Sequence, residues 1–130
     1  MKIFFTILFM SCILIFSSCK DDLVEPQAPY NLYGSWVFNS QQDSVTIMQR
    51  SFKLTPDKYG FTVYSNGDFL ERKNSGWCGT PPIIYADYPG KWTYKNNNNI
   101  KIDVGYWGGQ TSYSMQIISL SNDQLSFVAK

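Results

Sequence analysis

The sequence predicts an all-β domain of about seven or eight short antiparallel strands, arranged as a small up-and-down barrel. Three observations carry this reading. Apolar residues alternate with Lys, Thr, Asp, Ser and Gln at the two-residue period of a half-buried strand. Clusters of Asn, Gly, Ser and Asp separate the runs at short intervals. No window shows a helical period.

The elements follow in order along the chain. Trp36 and Phe38 alternate after Gly34. Val45 and Ile47 alternate next, and the phase shift at Met48, Phe52 and Leu54 suggests a bulge. Phe61 and Val63 lead into Ser65-Asn66-Gly67, and the segment Asp68 to Arg72 leads out. Asn-Gly between such runs is a strong hairpin signal, because both residues tolerate positive φ. Trp92 and Tyr94 run into Asn96–Asn99, followed by Ile100, Ile102 and Val104. Tyr113, Met115 and Ile117 run into Ser121-Asn122-Asp123, after which Leu125, Phe127 and Ala129 close the chain. A meander of this size removes its edges most simply by closing on itself. A two-sheet sandwich is the alternative.

The N-terminal residues have a different character. Lys2 is a short positive region, and Ile3 to Phe16 form an uncharged, mostly apolar run of fourteen residues. A membrane span needs about 20 apolar residues, so this run reads as the core of a secretory signal. Phe16-Ser17-Ser18-Cys19 resembles a bacterial lipobox, with Phe where Leu is commoner. The resemblance implies cleavage before Cys19 and acylation of Cys19, and two or more acyl chains anchor a protein firmly. Cys12 interrupts the apolar run and is a poorer candidate. The stretch KDDLVEPQAP reads as a tether, and Ser-Ser-Cys-Lys-Asp-Asp resembles lipoproteins of Bacteroidota. The expected organisation is a signal peptide over 1–18, a lipidated tether over 19–30 and a barrel over 31–130. The expected location is the outer membrane of a Gram-negative bacterium, lipid-anchored and displayed at the surface.

Gly34-Ser35-Trp36 resembles the Gly-x-Trp that opens lipocalin-like (calycin) barrels, where the Trp plugs one end. Tyr88-Pro89-Gly90-Lys91-Trp92 and Ser121-Asn122-Asp123-Gln124-Leu125 are similar to small bacterial lipocalin-like lipoproteins. The likeness implies structural roles for Gly34, Trp36 and Trp92. The domain is shorter than a typical lipocalin and shows no C-terminal helix, which argues against a large cavity.

Composition excludes several chemistries. Lys2 is the only charge within 1–18, so the processed chain carries ten basic and ten acidic residues. No basic block exists, so nucleic acid has no electrostatic footprint to meet. The sequence has no His, which removes the usual Ser-His-Asp and Cys-His arrangements and imidazole metal sites. Neither metal nor cofactor is expected. A glycosidase-type carboxylate pair needs two acids flanking a cleft. Glu71, Asp87 and Asp103 are available, and all three read as solvated, outward strand positions.

The stretch Gly76-Trp77-Cys78-Gly79-Thr80-Pro81-Pro82 looks at first like a thiol-redox centre. Pro81 stands where a resolving Cys is required, and the two prolines oppose a helix start. Cys78 therefore reads as a small structural hydrophobe in a loop shaped by Pro81 and Pro82. Trp77, Tyr85, Tyr88, Tyr106 and Trp107 fall in or near Gly/Pro-rich segments. Either they cap the barrel or they line its mouth as ligand contacts. Asp43-Ser44-Val45 resembles a short motif on which some Bacteroidota O-glycosylate exported proteins, which marks Ser44.

The sequence thus leads to a non-catalytic binding module, not an enzyme, that takes a small apolar or amphipathic ligand at the barrel mouth. A filled barrel that binds a protein partner through its loops, or a glycan-binding surface, are the other readings. A cavity of several hundred Å3 separates the first from the second.

Overall fold

The computed structural model describes residues 26–76 and 80–130. The expected signal over 1–18, Cys12, Cys19 and most of the expected tether lie outside the described residues, as do Trp77, Cys78 and Gly79. A short 3-10 turn, Tyr30–Leu32, precedes eight strands: β1 Gly34–Gln42, β2 Val45–Ser51, β3 Gly60–Val63, β4 Asp68–Asn74, β5 Tyr85–Lys95, β6 Asn99–Tyr106, β7 Gly109–Leu120 and β8 Gln124–Ala129. All pairings are antiparallel, and the sheet closes on itself. The predicted barrel is therefore the architecture, and the sandwich is not.

The meander is regular from β3 to β8 and departs from sequence order at its start. β1 lies between β2 and β3, and β2 pairs with β8, so the circuit runs β1-β2-β8-β7-β6-β5-β4-β3. The connection from Phe52 to Tyr59 consequently passes over the outside of β1. Leu54 packs there against Gly60, where a Cβ would sit 2.7 Å from the Trp36 carbonyl oxygen. Phe52 is fully exposed. The bulge expected in the second run falls on its partner instead. The register steps from Phe38↔Met48 to Ser40↔Ile47, leaving Asn39 as the extra residue.

The hairpins sort the connections between two ends. The 3-10 turn, Ser65–Gly67, Asn96–Asn98 and Ser121–Asp123 lie at the end that holds Trp36. Asn97 and Asn98 both take left-handed backbone, at φ 56 and 58, whereas in Ser65-Asn66-Gly67 Gly67 alone does so. Asp43-Ser44, the β4–β5 connection and Trp107-Gly108 lie at the opposite end.

The Trp36 end is closed. Trp36 has no exposed surface, and its indole Nε1 donates to the Leu32 carbonyl at 2.9 Å. The Arg50 guanidinium lies 4.2 Å from the centroid of the indole ring. It donates to the Tyr33 carbonyl at 2.7 Å and also to those of Asn31 and Asn122. One side chain thus ties the 3-10 turn, the β7–β8 turn and the plug together. Gly34 makes room for it: φ is +121, and a Cβ would meet Arg50 Nη1 at 2.7 Å. Trp92 is half-buried beside Tyr33, its Nε1 donating to the Tyr64 carbonyl. Above this plug the interior is packed, with Phe61 stacked on Phe69 at 5.4 Å and edge-on to Phe127 at 5.9 Å.

Candidate functional site

The open end is built from residues of five segments. Phe38 and Gln41 come from β1, Thr46 from β2, Lys58 and Tyr59 from the chain before β3, Tyr85 from the start of β5, and Phe127 and Ala129 from β8. They line a cleft of about 430 Å3. Its volume is at the lower end of small-molecule sites, which span about 300–1,000 Å3. Phe127 is buried and is also part of the packed interior, so the cleft ends against the core there.

A larger groove, about 550 Å3, lies on the outer wall over Tyr64, Leu70, Pro89 and Gly90. Its charged groups, Asp68 and Lys91, are spent on each other in an ion pair, and no buried polar group faces it. The mouth cleft is the stronger candidate because it adjoins a buried polar cluster.

That cluster centres on Glu71, which is only 3% exposed. The outward, solvated position expected from the sequence is incorrect. On β4, Phe69, Glu71 and Lys73 share the inward face, and Phe69 is buried beneath Glu71. One carboxylate oxygen accepts from the Tyr59 and Tyr113 hydroxyls, each at 2.8 Å. The other accepts from Lys73 Nζ at 2.7 Å. Lys73 Nζ also lies 5.4 Å from the centroid of the Tyr88 ring. Burial, and then the nearby Glu71 charge, push the Tyr59 hydroxyl well above the usual tyrosine range. Tyr113 is raised as well, first by burial and then by Tyr59 and Glu71. Both phenols are therefore neutral donors to a carboxylate that already holds three hydrogen bonds.

This arrangement holds a charge still. It does not expose a base to a substrate. Asp87 and Asp103 are on the outer wall, as expected. Arg72 donates to Asp87 at 2.6 and 2.8 Å and holds its carboxyl below the ordinary range. Asp103 is lowered first by a hydrogen bond from Ser112 and then by Lys101. Among the described residues, no two of these three carboxylates share a cleft.

Of the aromatic residues marked in the sequence, Trp77 lies outside the described residues, and Tyr85, Tyr88, Tyr106 and Trp107 fall at the mouth end but not in one place. Tyr85 lines the cleft. Tyr88 points inward beside Lys73. Both belong to β5, and the Pro89-Gly90 pair sits inside that strand, where Gly90 leaves no room for a Cβ against Val104. Tyr106 ends β6 and meets Trp107 edge-on at 5.7 Å, on the β6–β7 side of the rim and away from the cleft. Pro81 and Pro82 are exposed in the β4–β5 connection, with a cis bond between them. Ser44 is exposed at the tip of the β1–β2 turn, next to Asp43 at φ 55. Sequence reasoning missed Phe38, Thr46, Lys58 and Tyr59 as cleft residues. The one available signal for the polar cluster was that Glu71 keeps the phase of Phe69.

A closed antiparallel barrel plugged by the Trp of Gly34-Ser35-Trp36 agrees with a family model described as a lipocalin-like domain, which matches residues 27–127. The chain belongs to the lipocalin-like family. No curated protein and no solved structure gives a significant match. The cleft lies at the mouth of this lipocalin-like barrel, a usual place for a ligand site in such folds, and the family is typically a binding fold.

Proposed function

We propose that the protein is a lipid-anchored, non-catalytic binding module that holds a small apolar or amphipathic molecule in its mouth cleft. The observation that carries this reading is the 430 Å3 cleft walled by Phe38, Tyr59, Tyr85 and Phe127 above a fully packed interior. Apolar walls with few polar groups suit a ligand that sits across the mouth and does not enter the barrel.

Acylation at Cys19 and residence in the outer membrane complete the proposal. Its support is the lipobox-like Phe16-Ser17-Ser18-Cys19. The described chain starts at the closed end, with Pro26 beside Thr93–Asn96, so an anchor there directs the mouth away from the bilayer. Glycosylation at Ser44, exposed at the mouth end, fits the same orientation.

A second reading, recognition of a protein or glycan by the rim, draws on one observation. Trp107 is 52% exposed and Ile84 67% exposed, outside the cleft. Native mass spectrometry of the protein extracted from its own envelope separates the two. The cleft reading predicts a bound small molecule that is lost in Thr46→Trp, which fills the cleft, and kept in Trp107→Ala. Loss in Trp107→Ala and retention in Thr46→Trp would move the site to the rim.

A further inference from the structure

We infer that the mouth cleft selects molecules with an anionic head group, and that Lys58 is the residue that reads the charge. The inference rests on the cleft being the ligand site and adds the chemistry of what it takes. The lining contains one cation, Lys58, and no carboxylate. Lys58 makes no ion pair or hydrogen bond among the described residues.

Of the nearby acidic groups, Glu71 and Asp87 are already paired, and Asp43 and Asp57 lie outside the lining. Glu71 lies behind Tyr59, bound to Lys73 and to two phenols. Asp87 is bidentate on Arg72, and Asp57 faces the same guanidinium on the outer wall. Asp43 lies in the exposed β1–β2 turn, where Gln41 binds its backbone carbonyl. The Tyr59 hydroxyl proton is committed to Glu71, so its oxygen offers an anion nothing but a lone pair. An anionic head is therefore drawn to Lys58 at the rim, with its apolar part against Phe38 and Phe127. A cationic head would meet an ammonium with no counter-charge in the lining.

The test is binding of decanoate, decanol and decylamine to the purified full chain at neutral pH, followed by resonance shifts. These probes share an alkyl chain and differ in head charge. The wild type is expected to bind decanoate about fivefold more tightly than decanol, the scale of a partly exposed ion pair, and decylamine most weakly. Lys58→Met should erase that preference, bringing decanoate binding to the level of decanol in the same variant. Lys58→Glu should reverse the order of decanoate and decylamine. A decanoate preference that survives Lys58→Met overturns the role of Lys58. Equal binding of decanoate and decanol by the wild type overturns the inference and leaves the cleft as a ligand site. Failure of all three to bind overturns both.

Discussion

Replacing Glu71 by Ala removes the acceptor of three hydrogen bonds at the base of the mouth. The Tyr59 and Tyr113 hydroxyls are left buried without that partner, and an unsatisfied buried polar group costs about 1–3 kcal/mol. Lys73 is 20% exposed and recovers part of its hydration. The sum is about 3–5 kcal/mol, the usual cost of breaking a buried ion pair from one side. Glu71→Gln keeps a carbonyl for the two phenols but turns its amide toward Lys73, so it should cost about half as much, near the value of one charged hydrogen bond. Removing the whole network, with Glu71→Met, Lys73→Met, Tyr59→Phe and Tyr113→Phe together, should restore most of the loss, because no charge is then left alone. Urea unfolding measures each variant, read as a shift in midpoint at constant slope. A loss below about 0.5 kcal/mol for Glu71→Ala, the level of an ordinary surface substitution, would return Glu71 to the solvated outer wall and refute the cluster.

Trp36→Ala should cost about 3–5 kcal/mol, as a buried aromatic truncation does, and an unchanged denaturation midpoint would remove Trp36 as the plug. The two buried phenols give an alkaline signature. Their native pKa values are raised, so their contribution is intact below the unfolded tyrosine pKa of about 10 and is lost as pH climbs toward the native values. Stability should fall above that point, and Tyr59→Phe with Tyr113→Phe should flatten the fall; an alkaline limb unchanged by both would refute it. Cys19→Ala should abolish incorporation of an alkyne fatty acid, whereas equal labelling of both forms would remove the anchor from Cys19.

The barrel was largely legible because its hairpins advertise themselves. Val63 and Phe69 flank Ser65-Asn66-Gly67, and Ile100, Ile102 and Val104 keep a strict period after an Asn-rich turn. What was hidden depends on contacts between distant segments. Nothing in the order of the strands says that β1 lies between β2 and β3; that placement exists only in the pairing of β1 with β3 and of β2 with β8, with Leu54 packed on Gly60 in the connection between them. Glu71 reads as outward because a charged residue breaks the apolar alternation, yet its register with Phe69 puts it inside. Pro89-Gly90 lies inside a strand because Gly90 allows the close approach of β6, a contact that no local pattern displays. The cleft was invisible for the same reason as the strand order: Phe38, Thr46, Lys58, Tyr85 and Phe127 meet only when the barrel closes.

The proposed ligand site is the mouth and not the barrel interior. Mapping the amide and methyl resonances of the full chain during titration with decanol, which carries no charge, tests it most directly. Shifts are expected at Phe38, Thr46, Tyr59, Tyr85 and Phe127, with Ile102 and Met115 in the packed interior unmoved. Shifts centred on Ile102 and Met115, with the mouth residues silent, would contradict it.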